Sequence, residues 1–172
     1  LGFEIDDDTV AAVRPHVPGL AGPAQERVFA ELRRIVSADA AVRGLALMDE
    51  LDLVATVLPE LSALHGVEQN PYHHRDVHGH TLEVLQASID LERDPAAALG
   101  DESLAAPVRA LLAEPLADEL TRGGALRFGA LLHDIAKPQT RTELPDGRIG
   151  FPGHDEQGAE MARAALARLR AS

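Results

Sequence analysis

The spacing of apolar residues along the chain is helical almost throughout. Between residues 24 and 36 they fall at offsets of 0, 1, 4, 7 and 8 from Val28, the pattern of one buried helical face. Similar patterns predict helices after the acidic residues 6–8 and over 38–51, 53–58, 76–91, 103–113, 116–122, 124–137 and 154–170. Residues 140–144 and 148–151 flank Pro145-Asp146-Gly147, which predicts a small hairpin or an extended loop. The expected fold class is therefore all-α with at most one small hairpin.

The segments between these helices differ in character. Residues 67–75 have the composition of a loop, with Asn70-Pro71 as the helix breaker, and Asp76 has the position of an N-cap for the helix that follows. Residues 92–102 are rich in Ala, Gly, Pro and polar side chains, which predicts a dispensable connector. Residues 124–137 are apolar on nearly every side, so we expect that helix in the middle of a domain.

Composition and charge narrow the classes of function. The 172 residues include 16 basic and 28 acidic side chains, a net charge of −12, so a broad basic surface for nucleic acid is not expected. The absence of cysteine excludes a disulfide scaffold, a thiolate metal site and a cysteine nucleophile. No apolar run suits a membrane span and no signal-peptide pattern is present, so we expect a cytoplasmic protein. Because it begins at Leu1, we expect a piece of a longer chain or a processed product.

Histidine is the residue type that points to chemistry. The chain has eight, and five of them fall within sixteen residues: His65, His73, His74, His78 and His80. His78 and His80 both border the apolar stripe of the helix over 76–91, and periodicity does not choose between them. We expect His65 to be an ordinary residue near a helix end, and His73 and His74 to be loop residues bonded to backbone.

The dipeptide His133-Asp134 lies near the end of the most apolar helix. An ionised aspartate is costly to bury there unless it is paired or binds a metal. His154 shares the inward face of the last predicted helix with Gly158 and Ala165, so it can approach the same region. These positions predict a polar site inside the helical bundle.

Several short motifs together resemble the HD family of metal-dependent phosphohydrolases. They are His80-Thr81-Leu82, His133-Asp134-Ile135-Ala136-Lys137-Pro138 and Gly153-His154. The stretch 66–77, with residues 151–155, is similar to the HD region of bacterial tRNA nucleotidyltransferases (CCA-adding enzymes and poly(A) polymerase relatives). Residues 43–61 resemble the helical region that follows the nucleotidyltransferase head in that family. The resemblance implies an HD helical bundle over 66–172, preceded by a helical neck over 1–65.

The resemblance implies a divalent metal site. His80, His133 and Asp134 would ligate the ion directly, and His154 would be a further ligand or would ligate a second ion. Imidazole and carboxylate suit Mn, Fe, Co, Ni or Zn, and Mg less well. The ion would polarise a phosphate oxygen and activate a water for attack on phosphorus. His133, Asp134 and Lys137 are the residues expected to carry catalysis.

Basic residues beside these motifs are expected to bind phosphate. Lys137 is the only lysine among the basic residues, and Arg75 and Arg141 flank the motifs. The implied substrate is a nucleotide or another phosphomonoester or phosphodiester, including the phosphates of RNA ends. In the context of the full-length protein the expected partner is tRNA, and no membrane partner is expected.

Departures from the family pattern leave a second function open. The HD pattern ends with another aspartate on a later helix, and because this chain stops at Ser172 we expect a truncated domain with an incomplete metal site. No Gly-Gly stretch followed by an Asp-x-Asp pair is present, so this chain alone should not add nucleotides. The alternative is a non-catalytic helical body that holds tRNA or the head domain. A purely structural bundle, with its histidines satisfied by carbonyls, is the third interpretation.

Overall fold

The fold is all-α apart from one short hairpin, as the sequence predicts. A computed structural model describes residues 5–22, 25–69, 75–117 and 119–171. The α-helices are α1 (Asp7–Val13), α2 (Gln25–Ser37), α3 (Ala41–Glu50), α4 (Leu53–Val57), α5 (Pro59–Ser62), α6 (Val77–Arg93), α7 (Pro95–Leu99), α8 (Ala105–Leu112), α9 (Arg122–Leu132), α10 (Lys137–Thr140) and α11 (His154–Arg168). Two 3₁₀ helices cover Arg14–Ala21 and Glu102–Leu104. Among the helices of the described ranges, none combines the length and apolar character needed to cross a bilayer.

The predicted hairpin is present between α10 and α11. Strands β1 (Thr142–Glu143) and β2 (Ile149–Gly150) pair antiparallel, with Thr142 opposite Gly150. The chain reverses through Gly147, whose φ of 77° lies in the left-handed region that glycine adopts without strain. This hairpin carries the chain from α10 to the start of α11.

One hydrophobic core connects the two ends of the chain. On α2 the predicted inward positions Phe29, Leu32 and Val36 are buried, whereas Val28 and Ile35 are only partly covered. The same cluster includes Leu45 of α3, Leu85 of α6 and Leu131 of α9, together with Leu64 and Leu169, which follow α5 and α11. Within it, α6 and α9 form the most extensive helix pair of the described chain. Because α6 carries His80 and α9 leads directly into His133, the packing of this pair determines how close the two histidines lie.

Asp76 begins α6 as predicted and also ties it to the preceding turn. Its Oδ1 accepts a hydrogen bond from the backbone N–H of Gly79, and its Oδ2 accepts one from Gly66, each at 2.8 Å. The Val77 N–H donates to the carbonyl of Val67 at 2.9 Å. Because an N-cap satisfies donors that the helix itself cannot, these bonds fix where α6 starts.

The helix predicted over 116–122 is wrong. The N–H of Leu116 donates to the carbonyl of Leu120 at 2.7 Å, and Pro115 forms an isolated antiparallel bridge with Thr121. Thr121 is the N-cap of α9, and its hydroxyl accepts from the N–H of Gly124 at 3.1 Å. An N-cap needs extended backbone, so the chain reverses in a tight turn before α9 instead of continuing as a helix.

The connector predicted over 92–102 is more ordered than its composition indicates. Its first residues belong to α6, and α7 follows directly from the N-cap Asp94. Glu92 forms an ion pair with the buried Arg127 of α9. That contact makes the start of this segment part of the α6–α9 packing, so the connector predicted from residue 92 begins only after α6 ends at Arg93.

Candidate metal centre

His133 and Asp134 lie in a break between two helices. α9 ends at Leu132, residues 133–136 form a turn, and α10 begins at Lys137, so the single helix predicted over 124–137 is wrong beyond Leu132. Pro138 explains the break, because its ring would clash with the carbonyl of Asp134 in a continuous helix. The Asp134 carbonyl instead accepts a hydrogen bond from the Lys137 N–H at 2.9 Å. The break lets both side chains of the pair point into one site.

The carboxylate of Asp134 is the centre of this site, with its side chain only 3% exposed. Oδ2 lies 3.0 Å from Nε2 of His133 and 3.7 Å from Nε2 of His80, which comes from α6. Oδ1 lies 3.8 Å from Nε2 of His154, the first residue of α11. The structure therefore brings together the four side chains that the sequence resemblance named as metal ligands.

Two of the imidazoles are oriented by backbone carbonyls. Nδ1 of His133 lies 2.8 Å from the carbonyl oxygen of Ala130, and Nδ1 of His154 lies 2.7 Å from that of Phe151. A carbonyl only accepts, so each ring donates its Nδ1–H, and the neutral ring then carries its lone pair on Nε2. These lone pairs face the oxygens of Asp134, which are also acceptors. A cation between the ring nitrogens and the carboxylate oxygens satisfies both sets of acceptors. In metal-binding histidines the other ring nitrogen typically donates to a carbonyl or carboxylate, as Nδ1 does here.

The charges around Asp134 keep it ionised. Burial alone would raise the pKa of Asp134, but the imidazole of His133 and the ammonium of Lys137 outweigh burial and hold the pKa at about 2. Asp134 in turn raises the pKa of His133 against the opposing effect of burial. Lys137 Nζ lies 2.7 Å from Oδ2, yet neither Lys137 nor His133 approaches that oxygen with hydrogen-bond geometry. We treat both as charge contacts, which leaves Oδ2 a buried acceptor without a directional partner.

The donor set fits a divalent ion of the first transition-metal row. One nitrogen each from His80 and His133 and one oxygen from Asp134 lie within 4.8 Å of one another. Ligands bound tetrahedrally at about 2.1 Å are themselves ~3.4 Å apart. The two distances to Oδ2, 3.0 and 3.7 Å, bracket that spacing. His154 faces the other carboxylate oxygen and is not a member of this group of three.

Lys137 is held at the site by three different contacts. Besides approaching Asp134, its Nζ donates to Oε1 of Gln69 at 2.8 Å and lies 5.2 Å from the centre of the Phe151 ring. The side chain is largely buried, so its charge is poorly screened. Lys137 thus places a fixed positive charge beside the carboxylate.

The two predicted arginines lie on the surface. Arg75 forms an ion pair with Glu83 of α6 at 2.5 Å, and Glu83 is one helical turn from His80. Arg141 follows α10 directly and is exposed. A cavity of about 530 Å³ is lined in part by His133, and its other walls include Phe128, Leu132 and Gly158.

A second cluster of possible ligands escaped the sequence reasoning. Nε2 of His65 and Nε2 of His78 lie 3.0 and 3.1 Å from the same oxygen, Oδ2 of Asp49. His78 is buried rather than a helix-edge residue, and burial, together with the nearby His65, lowers its pKa. No spacing rule connects Asp49 of α3 with these two histidines, because their proximity arises from tertiary packing. The remaining loop histidines, His73 and His74, fall outside the described residues.

An all-helical bundle in which histidines from separate helices converge on a His-Asp pair is the HD class of domain. The chain belongs to the HD domain family, whose model matches residues 77–171. Residues 2–64 match a second model, described as "Probable RNA and SrmB- binding site of polymerase A".

Curated relatives extend the similarity over nearly the whole chain. An A-adding tRNA nucleotidyltransferase of Deinococcus radiodurans is 35% identical, and a CC-adding tRNA nucleotidyltransferase of Thermus thermophilus is 36% identical, each over 99% of this chain. A multifunctional CCA protein of Halorhodospira halophila is 33% identical over the same share. The chain spans only 34% of the length of each of these relatives.

Proposed function

We propose that this chain is a divalent-metal-dependent phosphohydrolase module of a tRNA nucleotidyltransferase-like protein. The observation that carries the proposal is the set of acceptor atoms around Asp134, where imidazole lone pairs face a buried carboxylate. Such a set is costly to maintain without a cation, because the imidazole lone pairs and the carboxylate are all acceptors, and the ammonium of Lys137 approaches only Oδ2. Of the residues of the site, His133 also lines a cavity, and we infer that a substrate approaches it from there.

The residues of the chain have separable roles in this proposal. His80, His133 and Asp134 hold the ion, and the carbonyls of Ala130 and Phe151 fix the rings of His133 and His154. The ion would polarise a phosphate oxygen and lower the pKa of a water molecule. Lys137 supplies positive charge to a phosphate oxygen from within the site.

We infer that the substrate is a nucleotide or a phosphoester at an RNA end. The fixed charge of Lys137 and the exposed guanidinium groups of Arg75 and Arg141 suit a phosphate better than a neutral ligand. The cavity walls at Phe128 and Leu132 are apolar and suit a sugar or base rather than a second charge. The net charge of −12 disfavours long polyanions, so a short phosphoester fits the chain alone.

The experiment is hydrolysis of p-nitrophenyl phosphate and bis-p-nitrophenyl phosphate by the chain loaded with Mn²⁺, Co²⁺ or Ni²⁺. We expect turnover that a chelator abolishes and that His133→Ala combined with Asp134→Ala reduces to the uncatalysed background. His16→Gln is the matched control, because it removes an exposed histidine remote in sequence from the site. Unchanged turnover in the double variant would refute the proposal.

A second candidate function rests on the match of residues 2–64. We infer that residues 1–65 form a helical neck which, with the bundle over 66–172, supports tRNA or a nucleotidyltransferase head. This proposal is supported by relatives whose names describe addition of nucleotides to tRNA. Titration with tRNA at two salt concentrations tests it, since phosphate contacts weaken as salt rises. Absence of binding at low salt would eliminate the tRNA role and leave only head-domain docking.

A further inference from the structure

A second histidine cluster lies on the far side of α6 from Asp134. His78 and His80 are two residues apart on this helix, and at ~100° per residue their side chains leave it in nearly opposite directions. His80 faces Asp134, whereas His78 faces Asp49 of α3 and His65 of the turn after α5. The three side chains form a group whose ligand atoms lie within 4.8 Å of one another. This group, Asp49-His65-His78, shares no residue with the first centre.

The two imidazoles of the group are brought together by backbone contacts. Asp76 accepts hydrogen bonds from Gly66 and Gly79, which are the residues directly following His65 and His78. The result is a pair of stacked rings, with centroids 3.6 Å apart and planes inclined by 26°. Asp76 therefore holds the backbone next to both histidines, and both Nε2 atoms contact the same carboxylate oxygen of Asp49.

The distances between the ligand atoms of the group are close to those around a bound ion. Both Nε2 atoms lie 3.0–3.1 Å from Oδ2 of Asp49, slightly less than the ~3.3 Å that separates tetrahedral nitrogen and oxygen ligands of Zn²⁺. A small outward movement of either ring reaches that spacing, and the nearly parallel ring planes must also open so that both Nε2 lone pairs point at one ion. His65 is half exposed, whereas His78 is almost covered, so solvent reaches the group from one side and offers a fourth ligand.

We propose that Asp49, His65 and His78 form a second divalent metal site that takes Zn²⁺ or Co²⁺, with water as its fourth ligand. Two imidazoles and a carboxylate are the donors these ions prefer. The ion would join α3, the turn after α5 and the start of α6. The competing account is a hydrogen-bonded triad in which Asp49 accepts from both rings and binds no metal. The proposal does not depend on the proposed function.

The test is titration of the full 172-residue chain with Zn²⁺ by calorimetry and with Co²⁺ by visible absorption. We expect two ions per chain in the wild type, and one ion in both His65→Ala and Asp49→Asn. The expected loss of affinity at the second site is at least about tenfold, which removal of even an outer-shell partner commonly causes. Asp49→Asn keeps an acceptor oxygen for the rings, so it separates loss of the ion from loss of the fold. His16→Gln is the control and should keep both ions.

His133→Ala combined with Asp134→Ala distinguishes the two sites. This variant should retain one ion, and adding His65→Ala should remove it. The wild type could bind a single ion that is lost in His65→Ala but kept when His133 and Asp134 are replaced. That result would support the second site and refute the first site. The proposal is overturned if His65→Ala and Asp49→Asn both bind as many ions as the wild type. It is also overturned if the His133/Asp134 double variant binds no ion although circular dichroism shows that this variant is folded.

Discussion

Replacement of Glu92 by alanine should strongly destabilise the packing that assembles the candidate metal centre. Arg127 of α9 is almost fully buried, and its Nε pairs with Glu92 of α6. Its Nη1 also donates to the carbonyls of Val36 and Ala38 at 3.1 and 2.8 Å. Gly123 makes room for this pair, since a Cβ at that position would collide with the Glu92 carboxylate. The pair thus joins α6, which carries His80, to the helix that precedes His133.

The expected loss follows from the burial of the two partners. Removing one member of a buried ion pair leaves an uncompensated charge and costs roughly 3–5 kcal/mol. Glu92 is 21% exposed, and Arg127 keeps its two carbonyl acceptors, so we expect the lower end of that range. A loss of about 3 kcal/mol corresponds to a decrease in Tm of roughly 6–12 °C for a chain of this length.

Urea unfolding of the metal-free protein followed by circular dichroism measures the effect. Glu114→Ala is the matched control, because Glu114 pairs with Arg122 while both side chains are about half exposed. An exposed pair contributes about 1 kcal/mol or less, so the control should change stability little. If Glu92→Ala loses no more stability than Glu114→Ala, the reasoning about the buried pair is refuted.

Three further predictions concern the site and its support. Asp76→Ala should lower the free energy of unfolding by about 2 kcal/mol, because it removes the N-cap of α6 and the hydrogen bond from Gly66. Urea unfolding measures this loss, and Asp76→Asn should show a smaller one. Lys137→Met should tighten Co²⁺ binding, because the ammonium competes for Oδ2, and should raise KM for a phosphoester, because the ammonium also attracts phosphate. Calorimetry and steady-state kinetics measure the two effects. Affinities for Co²⁺ and for the phosphoester that both rise or both fall would contradict this prediction. In metal-free protein, the pKa of Asp134 is about 2 in the folded chain, against 3.8 for an unperturbed aspartate. Its contribution of about 2 kcal/mol to stability is therefore complete above pH 3.8 and disappears as the pH falls toward 2. Acid unfolding of Asp134→Asn should lack this dependence, and an identical profile would refute it.

The parts of the fold that follow local rules were predictable from the sequence. The period of α2, the cap at Asp76 and the turn at Gly147 each depend on residues close in the chain. The helix predicted over 116–122 failed because apolar spacing does not show that Thr121 caps the next helix and forces an extended approach. The helix predicted over 124–137 is wrong beyond Leu132 because the apolar pattern continues past the point where Pro138 prevents regular helical hydrogen bonding.

The candidate site was predictable only in part. Periodicity could not separate His78 from His80, because both border the same stripe, and only the resemblance selected His80. The partner of His78 is Asp49, which lies 29 residues earlier and shares no local pattern with it. Similarly, the polar composition of 92–102 does not indicate that Glu92 pairs with Arg127, which lies 35 residues later. Contacts of this kind depend on how helices cross, which single-helix patterns do not contain.

Anomalous diffraction from crystals grown with Mn²⁺ tests the central claim most directly. The account predicts a peak between α6 and the turn at 133–136, at about 2.1 Å from Nε2 of His80, Nε2 of His133 and an oxygen of Asp134. Data collected at the Mn edge identify the ion independently of the refined coordinates. A well-ordered site with no anomalous peak at saturating Mn²⁺, and with Lys137 still against Asp134, would contradict the account.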